Sequence, residues 1–243
     1  MQAQKDGWLP KYLLLENVKN LVGKKYKPQF DEWLLFLETL GYKTQWFVLN
    51  AKDFGMAQSR ERVFAISILE VQSNLHKPIP LNKQIVLKDY LEENVDDIYF
   101  LSDDKKINIS KWKSNQQPLQ RVLGLNSVCP TIIARGAGCY HRGMILFSPY
   151  ENGTKDMRSN FNVPIRVLTP LECWRLMGFT DKDFEKARQA LNNTYYKGKD
   201  KSSSQLYKQA GNSIVTNCLI AIFYCMFFEN STNYERYLIK YDE

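Results

Sequence analysis

The spacing of apolar positions changes several times along this chain. Tyr12 to Leu15 (YLLL) is a short continuous apolar run that ends in Glu16-Asn17-Val18. Such a run predicts a buried strand whose carboxyl end delivers polar side chains. Phe30, Trp33, Leu34, Leu37 and Leu40 then recur at intervals of three and four. That rhythm predicts a helix over 30–40, stopped by Gly41. Lys43 to Leu49 (KTQWFVL) and Arg62 to Leu69 (RVFAISIL) predict two more strands, joined by a connection over 50–58 that holds Asp53 and Gly55. Strand, helix, strand, strand is the order of part of an α/β sheet.

The pattern breaks near Leu75, where HKPIPLNK brings two prolines. Val86 to Pro164 has little long periodicity and carries turn-rich pieces such as Arg135-Gly136-Ala137-Gly138 and Glu151-Asn152-Gly153, so it reads as a smaller module rich in β-structure and loops. Thr169 to Met177 (TPLECWRLM) predicts a helix, with Thr169 at the N-cap, Pro170 at the first helical position and Glu172 closing a capping box. Tyr196 to Ser204 reads as a polar loop. A last helix is expected over 213–228, apolar nearly all round and therefore buried. No internal repeats are visible. The expected divisions fall near residues 85 and 182.

Composition narrows the class. The 243 residues are 44% hydrophobic and 13% aromatic, which fits a globular fold and argues against disorder. A net charge of +7 suits a polyanionic partner, and fits a solvated basic surface equally well. The five cysteines are scattered with no C-x-x-C and only two histidines accompany them, so no metal site is expected. Unpaired thiols point to a reducing compartment, and a cytoplasmic location is expected. The N-terminus has no apolar core of a signal peptide. The most apolar run, Cys218 to Phe228, is short of the roughly 20 residues of a membrane helix, so no membrane partner is expected.

Three segments carry candidate chemistry. Glu16 stands at the end of a buried strand, where α/β sheets bind ligands; a carboxylate there can bond a ring nitrogen and act as a general acid. A glutamate at a strand end is also commonly structural or solvated. Gln58, Arg60 and Arg62 are two apart, so an extended chain puts them on one face. Two guanidinium forks there suit a carbonyl, carboxylate or phosphate, or surface ion pairs with Glu61 or Asp53. In Gln209-Ala210-Gly211-Asn212-Ser213-Ile214, Gly211 allows a tight turn and Asn212 or Ser213 can cap the helix that follows. Free N–H groups at such a helix start also allow a ligand contact.

Taken together, LLLENVKNL, NAKDFGMAQSRERVFAISI, RVLTPLECWRLMGF and QLYKQAGNSIVTNCL resemble the closing motifs of the DNA cytosine-5 methyltransferase family, in the family's order. The resemblance covers about the first 70 residues and the region from Arg166 to Leu219. It implies an α/β fold: a partial Rossmann-like, S-adenosylmethionine-dependent methyltransferase sheet with a smaller β- and loop-rich target-recognition domain. The implied divisions are 1–85 for the C-terminal part of the catalytic domain, 86–182 for target recognition, and 183–243 for the return to the catalytic domain. It implies that Glu16 contacts N3 and the amino group of a flipped cytosine, that Arg62 donates to the base O2, and that Arg60 and Gln58 support the active-site loop, with Gln58 also counted among the residues that recognise DNA and the base. Pro130-Thr131-Ile132 followed by Gly136 and Gly138 resembles the family's Thr-Ile/Leu dyad and glycine loop, so Thr131, Ile132 and Arg135 are implied to lie against DNA. Asn212 and Ser213 are implied to line the S-adenosylmethionine pocket. Arg166, Glu172 and Arg175 are implied to order the recognition domain. The implied partner is double-stranded DNA, in a restriction–modification system.

Two parts of the family's pattern are missing. There is no Pro-Cys pair to supply the attacking thiolate, since Cys129-Pro130 has the reverse order, and there is no glycine-rich cofactor loop. The remaining half is therefore expected from a second polypeptide of a split enzyme, or lost from a truncated gene, or left out of these 243 residues; a chain on its own is expected to associate with itself through the apolar edge of an incomplete sheet. A DNA-binding remnant without catalysis, and the related branch that methylates tRNA, are the alternative readings.

Overall fold

The computed structural model describes residues 7–69, 76–110, 122–134, 146–151, 153 and 162–241, with the side chains of 107–110, 146 and 147 outside the description. Three strands form the main sheet: β1 (Tyr12–Val18), β2 (Tyr42–Asn50) and β4 (Glu61–Leu69). Their order is β1-β4-β2, and β4 runs antiparallel to both neighbours. Helix α1 (Lys27–Thr39) connects β1 to β2. Pro28 sits in its first turn, and Gly41 follows it with φ +89°, a conformation that costs other residues a steric clash. The expected strand–helix–strand–strand order is therefore present.

Alternation decides which face packs against what. Val63 and Ala65 of β4 face α1 and meet Phe30, Trp33 and Leu34. Phe64, Ile66 and Ile68 face the other way into the main core, with Phe47 and Leu49 of β2. The same core takes in Leu87, Cys129, Ile132, Trp174, Cys218 and Tyr234, so all three expected segments share it.

Short elements make up the middle of the chain. They include α2 (Asp103–Ser110), which no sequence pattern pointed to, and the two-residue strands β3 (Gln58–Ser59), β5 (Val122–Leu123), β6 (Cys129–Pro130), β7 (Leu146–Phe147) and β8 (Arg166–Val167). Strand β3 pairs with β6 in parallel, and β5-β7-β8 form a small sheet. Helix α3 (Pro170–Arg175) has the expected capping box: Glu172 N–H donates to the Thr169 hydroxyl oxygen, and Thr169 N–H to the Glu172 carboxylate.

Helices α4 (Asp181–Tyr196), α5 (Ser203–Asn212) and α6 (Thr216–Phe227) complete the chain. The last differs from expectation in two ways. It starts at Thr216, after an N-cap at Val215 that makes no side-chain bond. Thr216 is held instead by its own N–H and hydroxyl, which donate to Met177 O and Gly178 O. Only one face of α6 is buried, through Cys218, Ala221 and Ile222; Phe223 and Phe227 are exposed. Residues Ser203–Phe227 together are long and apolar enough, by length and composition, to cross a membrane. Here the run is broken between α5 and α6. Beyond α6 the tail crosses the core: Tyr234 is buried against Phe54, and the Tyr241 hydroxyl donates to Arg175 O and Phe179 O.

Candidate active site

The site starts from sheet register. Glu16 on β1 is opposite Phe64, and Arg62 on β4 is two residues from Phe64, so the acid and the guanidinium meet diagonally on one face. Arg62 Nε lies 3.2 Å from Glu16 Oε1, with the two side chains 16% and 18% exposed. Arg62 also donates to Glu61 O at 2.8 Å. Burial pulls the Arg62 pKa down, and Glu16 opposes that shift. Glu16 Oε1 is itself buried and accepts no hydrogen bond among the described residues. Its contact with Arg62 is an ion pair outside hydrogen-bond geometry, which leaves the oxygen able to accept from a bound group or water.

Arg60 and Gln58 reach past the sheet into the rest of the molecule. The Gln58 side chain is fully buried; its amide donates to Leu176 O at 2.8 Å, and its carbonyl accepts from Ile132 N–H at 2.9 Å. Arg60 donates to Ile132 O at 2.8 Å, to Gly211 O at 3.1 Å and to Ser213 O at 2.9 Å. Burial first, and then neighbouring Arg62, lower its pKa to about 10, so it is charged at neutral pH. The Thr131 hydroxyl donates to Ser59 O at 2.9 Å, and Cys129 N–H to Ala57 O at 2.7 Å. The Thr-Ile dyad is thus laced to the QSRER segment by side-chain and main-chain bonds.

These placements correct two expectations. Gln58 cannot touch a base directly, because its whole amide is buried and engaged; it acts through the main chain of Ile132. Ile132 is likewise buried, because its apolar side chain joins the main core while its N–H and C=O are held by Gln58 and Arg60. Only Thr131 of the dyad is partly exposed. Arg135, Gly136 and Gly138 lie outside the described residues.

The α5–α6 turn also differs from a helix cap. Asn212 ends α5, and the Ser213 hydroxyl donates back to Gln209 O at 2.8 Å. Asn212 is exposed, and the Ser213 oxygen keeps lone pairs, so both fit an edge contact with a polar cofactor but not a whole pocket. Gly211, read from sequence as a turn glycine, is helical; what matters is its close approach to Ile133 and Ala134.

Behind the site, Arg166 forms two bonds of 2.7 and 2.8 Å with Glu172, both side chains being buried. Glu172 also accepts from Glu92 N–H at 3.0 Å. Arg175 pairs with Asp181 and donates to Tyr90 O and Leu91 O. These contacts fix helix α3 against the middle of the chain.

None of the described cysteines is poised as a nucleophile. Burial pushes the Cys129 and Cys173 thiols far up, and that of Cys218, near Asp53, Arg60 and Glu16, to about 12. Cys225, half-buried, is raised as well. Thiolate chemistry at neutral pH needs the opposite shift.

Residues 3–227 match the sequence model of C-5 cytosine-specific DNA methylases. The chain is 38% identical over 219 residues to the Type II methyltransferase M2.ScrFI of Lactococcus lactis subsp. cremoris, covering 88% of this chain and 53% of that protein. It is 30% identical to the Type II methyltransferase M.Bsp6I of a Bacillus species, covering 85% and 62%. It therefore spans little more than half the length of these curated relatives. Among solved structures, the Entamoeba histolytica methyltransferase EhMeth superposes with a TM-score of 0.67 at 19% identity, over 90% of this chain and 63% of that one. The S. pombe Dnmt2 methyltransferase gives 0.65 at 20% identity, over 89% and 67%. These two share the α/β methyltransferase fold. The chain belongs to the C-5 cytosine-specific DNA methylase family.

Proposed function

We propose that this chain is the base-gripping and DNA-recognising part of a DNA cytosine-5 methyltransferase of a restriction–modification system, whose attacking cysteine lies outside these 243 residues. One observation carries the reading: the Glu16–Arg62 pair at the end of β1, with a buried Glu16 oxygen that lacks a hydrogen bond. Glu16 holds the N3 edge and amino group of a flipped cytosine, and Arg62 donates to its O2. A proton shared at N3 draws electrons from the ring and readies C6 for attack. Thr131 faces the DNA. Asn212 and Ser213 form one edge of the cofactor site, where S-adenosylmethionine supplies the methyl group.

The rest of the methyltransferase has a place to dock. Among the described residues β1 pairs on one side only. Tyr12, Leu14 and Val18 alternate onto the face of Glu16 and are exposed, and Tyr12 packs edge-on against exposed Phe227 at 5.4 Å. An open edge beside an apolar patch invites another strand.

The test is methyl transfer from labelled S-adenosylmethionine to duplex DNA, with and without an upstream methyltransferase half bearing a Pro-Cys-Gln loop. Transfer is expected only with both polypeptides, and Glu16→Gln should lower the rate by about 10²–10⁴-fold, the usual worth of general-acid catalysis. Transfer by this chain alone overturns the placing of the thiolate outside these residues. Preference for tRNA over duplex DNA in competition overturns the DNA reading, and duplex binding with no transfer by the pair leaves a DNA-binding remnant.

A further inference from the structure

The α5–α6 turn and the segment Thr131–Ala134 touch main chain to main chain. A Cβ on Gly211 would stand 2.2 Å from Ala134 N and 2.2 Å from Ile133 C. These neighbours are backbone, so no change of rotamer relieves the overlap. Gly211 is helical and needs no left-handed φ, and alanine is the better helix former. Contact with Ile133 and Ala134 is what keeps a side chain away. Arg60 closes the same junction from the sheet side, its flat fork shared between Ile132 O and the carbonyls of Gly211 and Ser213. A lysine ammonium, a single point of charge, does not span both segments in this way.

We infer that Gly211 and Arg60 are positioning residues that lock the α5–α6 turn to the Thr131 segment, so that the two move as one piece. The use of this lock rests on the reading above, in which the turn edges the cofactor and Thr131 faces DNA. A shift of the turn must then move the recognition segment or break the bonds of Arg60. Cofactor and duplex therefore influence each other's binding, and reciprocally.

Amide hydrogen exchange on the full chain tests the lock without requiring catalysis. Gly211→Ala should speed exchange in peptides covering 129–134 and 211–216 together, by about tenfold or more, while β2 and β4 keep their rates. Arg60→Lys should do the same to a smaller degree, and Lys208→Ala, on the exposed side of α5, should not. With wild type, a DNA duplex should slow exchange at the turn as well as at 129–134. Wild-type exchange at 129–134 in Gly211→Ala overturns the lock, as does a uniform rise across the whole chain. Should Gly211→Ala fail to fold, Arg60→Lys decides by the same two readouts. Joint exchange changes in the variants with no response to duplex keep the lock and overturn the DNA reading.

Discussion

Single residues at this site are set by whether their polar atoms are already engaged. Glu16 and Gln58 look equivalent in the sequence: each is a polar residue beside an apolar strand. The fold separates them, because Gln58 spends both ends of its amide on Leu176 and Ile132 whereas Glu16 keeps a buried oxygen without a hydrogen bond. Sequence spacing could place both near a substrate but could not reveal which distant partners each would find, those of Gln58 lying more than 70 residues away. Glu92 shows a cost at the same scale. Its carboxylate accepts from the Thr169 hydroxyl, yet burial, with help from neighbouring Glu172, raises its pKa. A raised acid contributes stability that is full below the ordinary glutamate range and lost as pH rises through the folded value. Glu92→Gln should therefore resist urea better than wild type at neutral pH, with the advantage fading as pH falls below that range. An advantage that stays constant down to pH 4 would contradict the assignment.

Elements were legible where a local pattern sufficed. The α1 rhythm, the three strands of the main sheet and the Thr169 capping box follow from spacing and from side-chain chemistry within four residues. Helix α4 carries a comparable local signal, Thr180 and Asp183 forming a second capping box. Thr180→Ala should cost about 1 kcal/mol in urea unfolding, the usual worth of an N-cap. A loss under a few tenths would mean that packing of Phe184 alone holds the start of α4. The α5–α6 break falls at Gly-Asn-Ser, which suits a cap on one helix when judged locally. Its cause is distant: Met177 and Gly178 hold Thr216 and so fix where α6 begins. No window of sequence around residue 213 contains that information. The same holds for Ile132, expected at the DNA and drawn inward by Gln58 and Arg60.

For the molecule as a whole, the sheet has one face covered by α1 and the other covered only where the rest of the chain reaches it. Beyond that reach, Tyr12, Leu14, Phe223 and Phe227 stand exposed. On its own the chain is expected to associate with increasing concentration, seen as a mass above 28.5 kDa in sedimentation velocity. Leu14→Lys with Phe227→Ser should return it to monomer, and association that persists in this double variant would place the contact elsewhere.

The reach of Arg60 has a further consequence, in the order of events during synthesis. Its guanidinium bonds to Gly211, 151 residues downstream. At ribosomal speeds of about 5–20 residues per second, roughly 8–30 s pass between the emergence of the two partners. Through that interval the nascent chain holds an arginine that has no native carbonyl from Gly211 or Ser213, and in its second half a Thr131 segment anchored on one side only. The Thr131 segment therefore reaches its final anchorage late, when the last helices close over the sheet.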